Sequence, residues 1–187
     1  MNSKRSFFGE IFKFVLIAIL IVVPFRIFVA QPFVVSGASM DPTFGDGEYL
    51  IIDQVSHNFE EPKRGEVIIF RYPRDPKKFF IKRVIGLPGE TVSIHSGVVI
   101  IKDENHPGGF ALSENYIPAA NKKIDDFKMN TPLGSDEYFV LGDNRQASLD
   151  SRIWGPVPEK LIIGRPLVRV LPVERLGIWP GEKRFAN

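Results

Sequence analysis

Phe79-Phe80-Ile81-Lys82-Arg83-Val84-Ile85-Gly86-Leu87-Pro88-Gly89 reads as a β-strand running into a tight turn. Aromatic and β-branched residues suit the pleated, half-buried surface of a sheet, and Leu87-Pro88-Gly89 supplies the turn. Side chains of a strand alternate between faces. Phe80, Lys82 and Val84 therefore share one face, and Phe79, Ile81, Arg83 and Ile85 share the other. Lys82 is an ammonium set between apolar neighbours. Burial disfavours the charged form and lowers a lysine pKa by up to about 3–5 pH units. A neutral amine accepts a proton from a serine hydroxyl, which a charged one cannot do.

Working outward, the same reasoning places strands at Glu48 to Val55, Glu66 to Tyr72, Glu137 to Gly142 and Leu161 to Leu171. Thr91 to His95 and Val98 to Lys102 form a hairpin around Ser96-Gly97. Pro73 to Lys78 is expected to be a polar loop. Residues 103–136 are polar, rich in Gly and Pro and without periodicity, so a long loop or small insertion is expected there. Apolar residues make up 44% of the 187, enough to build a core. The expected fold class is mostly β, a barrel or packed sheets.

The net charge of +2 is too small to suggest a nucleic-acid partner. Of 24 basic and 22 acidic residues, Lys4, Arg5, Lys13 and Arg26 lie in the first thirty, opposed only by Glu10. The basic excess thus belongs to the N-terminal segment. From Phe14 to Val35 the only charge is Arg26. A bilayer span needs roughly 20 mostly apolar residues, and residues 11–31 supply them. The run is apolar all round, unlike the single stripe of a core helix. A cleaved secretory leader shares the basic start and apolar middle. Its cleavage site asks for two small residues, however, and Phe28 is too large to partner Ala30. The positive-inside rule puts the N-terminus in the cytoplasm. The expected organisation is a cytoplasmic segment, residues 1–10, a single transmembrane helix, 11–31, and an extracytoplasmic domain, 32–187.

Just after this segment comes Ser36-Gly37-Ala38-Ser39-Met40-Asp41-Pro42-Thr43. It presents the hydroxyl of Ser39 among small residues that let a substrate backbone approach. The chain has no Cys, which excludes thiolate chemistry and Cys-bound zinc. His57, His95 and His106 lack metal-ligand spacing. No metal or cofactor is expected, and Lys82 is the candidate base for Ser39. A third segment, Gly142-Asp143-Asn144-Arg145-Gln146-Ala147-Ser148-Leu149-Asp150-Ser151-Arg152, is dense in hydrogen-bonding groups. Ser148 is placed to aim a lysine amine, while Asp143 with Arg145, and Asp150 with Arg152, pair to stiffen the loop. Val35, Met40, Phe80 and Ile81 flank the reactive pair and are candidate walls of a substrate pocket.

Together these motifs resemble the type I signal peptidases, or leader peptidases, over most of the chain. Ser36 to Thr43 resembles the serine box, Arg64 to Phe70 the strand box, Lys82 to Glu90 the lysine box, and Gly142 to Arg152 the last box. The resemblance implies a largely β catalytic domain at the outer membrane face that removes signal peptides from exported preproteins. It implies Ser39 as nucleophile and Lys82 as general base. Some members carry a second Ser two positions before the nucleophile, where its hydroxyl completes the oxyanion hole. Here that position is Gly37, and Ser36 lies one residue too early to replace it. The implied partners are preproteins and the lipid bilayer, with the enzyme a monomer of the compact, single-anchor bacterial type. A self-cleaving repressor of the Ser-Lys type would need a DNA-binding domain where this chain has an apolar run. The alternative is a non-catalytic, membrane-anchored β binding module in which Ser39 and Lys82 are only structural.

Overall fold

The structure, a computed structural model, describes residues 10–20, 30–122 and 127–183. Twelve strands follow one another among them: β1 (Ala30–Val34), β2 (Tyr49–Asp53), β3 (Val67–Tyr72), β4 (Asp75–Gly86), β5 (Thr91–His95) and β6 (Val98–Lys102), then β7 (Phe110–Ala111), β8 (Lys128–Pro132), β9 (Glu137–Leu141), β10 (Val157–Pro158), β11 (Ile162–Leu171) and β12 (Gly177–Ile178). The body is mostly β, as its Val, Ile and Phe runs require. The larger sheet runs β1-β2-β11-β3-β4-β9-β10, with β12 added to β11, and the smaller runs β7-β6-β5-β8. All pairings are antiparallel. Neither sheet closes on itself, so the body consists of packed sheets.

Strand alternation divides the core. Ile68, Phe70, Val84, Tyr138 and Val140 pack together on one face of the larger sheet. Ile85, Phe139 and Leu141 point the other way and join Val92, Ile94, Val99 and Ile101 of the smaller sheet. A third cluster, Val35, Met40, Phe44, Leu50, Ile52, Val67 and Ile69, lies around the serine loop.

The β5–β6 hairpin has the expected bounds, in register from Thr91↔Lys102 to His95↔Val98. Ser96 and Gly97 have φ of 49° and 79°, the positive values a two-residue hairpin turn demands. Two expectations need correction. Pro73 to Lys78 is not a loop: the chain reverses at Pro73-Arg74, and Asp75 already pairs with Tyr72. β4 thus extends outward through Asp75 to Lys78. Residues 103–136 hold β7, a short 3-10 helix at Ala119–Asn121 and β8, which pairs along all of β5.

Among the described residues, two of the free strand edges belong to β1 and to the outer part of β4. β1 ends the larger sheet, pairing only with β2. β9 meets β4 only from Arg83 to Gly86. Among the described residues, the outer half of β4 therefore has β3 on one side and no strand on the other.

Residues 10–20 are helical, with Phe12, Phe14 and Leu20 each more than two-thirds exposed. No helix among the described residues is long and apolar enough to cross a membrane. The expected anchor, 11–31, includes residues 21–29, which lie outside the described residues, and its last two positions, Ala30 and Gln31, open β1.

Candidate active site

Lys82 enters the site from β4 and Ser39 from the turn that follows β1. Their approach depends on how the serine loop is held. Val35 N–H donates to Glu48 O, and Gly47 N–H donates back to Val35 O, each at 2.9 Å. Gly37 N–H continues this ladder by donating to Asp46 Oδ1 at 2.7 Å. Gly37 sits at φ 86°, where a side chain would be strained. On the far side, the Ser39 carbonyl accepts from Asn144 N–H at 3.0 Å.

With the loop so placed, Lys82 Nζ lies 2.6 Å from Ser39 Oγ and 2.9 Å from the carbonyl of Ile81. Lys82 is only 4% exposed, and its Nζ is 5.4 Å from the centroid of the Phe80 ring. Burial pushes its pKa down from 10.5 to about 8, against the opposing pull of Asp150 and Asp143. On the order of a tenth of the amine is therefore neutral at pH 7, and a hydroxyl lies within hydrogen-bonding reach of it.

Beside the pair is a cleft of about 460 Å³. Phe33 to Ser39 line one side and Lys78 to Lys82 the other, over a floor of Leu50 and Ile69. Ala147 and Leu149 also line it. Val35, Phe80 and Ile81 are thus placed along the cleft, as expected of pocket walls. Met40 is not. It is 1% exposed and packs in the cluster with Val35, Phe44 and Leu50, because the residue after Ser39 turns its side chain inward.

Residues 8–171 match the family described as signal peptidase, peptidase S26. The chain belongs to this signal peptidase family. It is 38% identical to a probable signal peptidase I-2 of Synechocystis over 175 residues, 90% of this chain and 76% of that protein. It is 39% identical to a signal peptidase I of Leptolyngbya laminosa over 170 residues, 86% of this chain and 78% of the relative. A solved signal peptidase I of Enterococcus faecalis is 32% identical, with a TM-score of 0.48, covering 57% of this chain and 97% of its own.

The last box of this signal peptidase family chain is wired differently from expectation. Asp143 pairs not with Arg145 but with Arg83, and both are fully buried. Arg83 Nε and Nη2 grip the carboxylate at 2.8 and 2.5 Å, and Thr43 Oγ1 donates to it at 2.5 Å. Arg83 Nη1 donates to the carbonyls of Gly65 and Gly181 at 2.6 and 2.7 Å. The neighbour of Lys82 on β4 thereby ties together the serine loop, the last box and the C-terminal turn. Arg145 faces the other way. Its Nε donates to Gly142 O at 2.9 Å, and its Nη atoms grip Glu114. Glu114 escaped the sequence reading. The only signal was an acid and an aromatic, Glu114 and Tyr116, between the buried anchors Leu112 and Ile117. Asp150 and Arg152 do pair, through Nε at 2.7 Å and Nη2 at 2.8 Å. Asp150 also accepts from Gly142 N–H at 3.1 Å and from Arg152 N–H at the start of the short helix Ser151–Trp154.

Ser148 makes no hydrogen bond to Lys82; among the described residues its buried Oγ has no partner. It presses instead on Gly142. A Cβ at Gly142 would lie 2.3 Å from Ser148 Oγ and 2.4 Å from the Ser39 carbonyl oxygen. Backbone cannot yield as a flexible side chain does. Gly142→Ala is therefore expected to displace Ser39 and to lower kcat by about 10²-fold, the cost of a misplacement near 1 Å. Steady-state peptide cleavage by a variant that still melts cooperatively checks this; an unchanged kcat would show that the loop absorbs the methyl group.

Proposed function

We propose that this chain is a membrane-anchored serine endopeptidase that removes N-terminal signal peptides from exported preproteins with Ser39 as nucleophile and Lys82 as general base. The observation that carries this reading is the 2.6 Å contact between Ser39 Oγ and a lysine nitrogen buried at the end of an apolar cleft.

The substrate adds as an extended strand between the free edges of β1 and outer β4, so its backbone is held by main-chain hydrogen bonds and alternate side chains enter the cleft. Ser39 Oγ attacks the scissile carbonyl carbon as neutral Lys82 takes the hydroxyl proton. Lys82 then passes that proton to the departing amine, leaving an acyl-enzyme. Water, deprotonated by the same nitrogen, attacks the ester, and the proton returns to Ser39. The Ser39 backbone N–H faces the developing oxyanion. With Gly37 in place of a hydroxyl-bearing residue, and its own N–H bonded to Asp46, no side chain at that position contributes. Asp143, Arg145, Asp150 and Arg152 hold the loop whose Asn144 N–H donates to the Ser39 carbonyl.

The segment from residue 11 up to the start of β1 at Ala30 anchors the enzyme, with 1–10 in the cytoplasm and the catalytic domain working outside the bilayer as a monomer. The test is cleavage of a preprotein by the full chain in detergent, wild type against Ser39→Ala. Removing the nucleophile of a serine peptidase costs about 10⁶-fold in kcat in a well-studied case. A folded Ser39→Ala enzyme that still cleaves would refute the assignment.

A further inference from the structure

We infer that Lys78 makes the enzyme favour an acidic residue four to five positions before the scissile bond. This rests on the reading above, in which the acyl half of the substrate fills the cleft with its cleaved carbonyl at Ser39.

The cleft runs along β4 from Lys82 back to Lys78. Beyond Lys82 that edge of β4 is taken by β9, so the bound strand has this one direction to follow. Four residues of strand span about 13 Å, and a substrate strand alongside advances by the same number of residues. Side chains at 78, 80 and 82 share a face. Among the described residues, Lys78 and Lys82 are the only charged ones lining the cleft. Lys82 is buried against Ser39, whereas the side chain of Lys78 is 66% exposed. Lys78 pairs with Asp75 at 3.3 Å, and that carboxylate is itself 39% exposed. A pair this open is weak and gives way to a second carboxylate. Arg71 adds positive charge to the same end, its guanidinium 4.9 Å from the centroid of the Phe79 ring. The rest of that end is apolar: Phe33 meets Phe79 edge-on at 5.4 Å. A carboxylate on the substrate is attracted there, and an ammonium is repelled.

The experiment uses the full-length enzyme, with Lys78→Glu beside the wild type. The substrates are peptides that differ only in Glu, Gln or Lys at the fourth and fifth positions before the cleaved bond. For the wild type, kcat/KM is expected to be about two- to fivefold higher for Glu than for Lys, the range of an exposed ion pair. The preference shrinks as salt is added. Lys78→Glu inverts the order of the Glu and Lys peptides, read as the ratio of their kcat/KM values in each enzyme. Equal Glu-to-Lys ratios in the two enzymes, with the Gln peptide still cleaved, would overturn the assignment of Lys78 alone. No cleavage of the Gln peptide by the wild type would overturn the catalytic reading and this inference with it.

Discussion

Lys82→Met is expected to abolish cleavage and, at pH 7, to make the folded protein more stable. Loss of a general base costs about 10²–10⁴-fold, and in the proposed mechanism the same nitrogen serves both halves of the reaction. Methionine fills nearly the same space without a charge to desolvate. Holding the amine at about 8 in place of 10.5 corresponds to a penalty of about 3 kcal/mol. The sign follows from proton counting. Between pH 8 and 10.5 the unfolded chain holds the lysine proton more tightly than the folded one, so wild-type stability rises with pH across that window. Below about 8 both states carry the proton and the whole penalty is present. Denaturant titrations of both proteins at pH 7 and pH 10 should show the variant ahead at pH 7 and the gap closing at pH 10. The wild-type pH–rate profile offers a second check. The limiting slope of kcat/KM should be tenfold per pH unit below about 8, levelling above it, because only the neutral amine works. A profile flat from pH 6 to 9, or a methionine variant that cleaves, would contradict the role given to this residue.

Asp143→Ala is expected to produce the largest loss of stability. It leaves the fully buried guanidinium of Arg83 without its carboxylate and takes the acceptor from Thr43. Removing one partner of a buried pair costs about 3–5 kcal/mol, or roughly 6–20 °C in Tm for a chain of this size. Replacing both partners, Arg83→Met with Asp143→Leu, should cost less than the two single changes added together, since no charge is then stranded. Thermal melts of the four proteins decide it. A single-variant loss under about 1 kcal/mol would mean that water enters and solvates Arg83.

Much of this was legible in the chain itself, for reasons that differ from element to element. The β5–β6 hairpin could be read to the residue, because alternation and a turn with two left-handed positions act locally. The pairing of Ser39 with Lys82 could be suspected from residue types, but nothing in a separation of 43 residues encodes a 2.6 Å contact. β8 was not legible. Lys128-Met129-Asn130-Thr131-Pro132 is polar, and it becomes a strand only because the edge of β5 is there to receive it. The outer half of β4 was hidden in the same way by Asp75-Pro76-Lys77-Lys78. Charge pairing within the last box was misread because proximity in sequence favoured Asp143 with Arg145, whereas the backbone turns them to opposite sides. Each then meets a residue far along the chain: Arg83, 60 positions away, and Glu114, 31 positions away.

The carbonyl of Gly181, which accepts a hydrogen bond from Arg83 Nη1 at 2.7 Å, lies ten residues past the end of the family match at 171. Gly181 also packs so tightly on Phe44 that a Cβ there would come within 2.6 Å of the ring. A protein trimmed to the shared boundary would keep every box intact and yet strip an acceptor from Arg83, the residue next to Lys82. The tail beyond the common core is a keystone of the candidate site, and any shortened version meant for crystallisation or screening should extend past it.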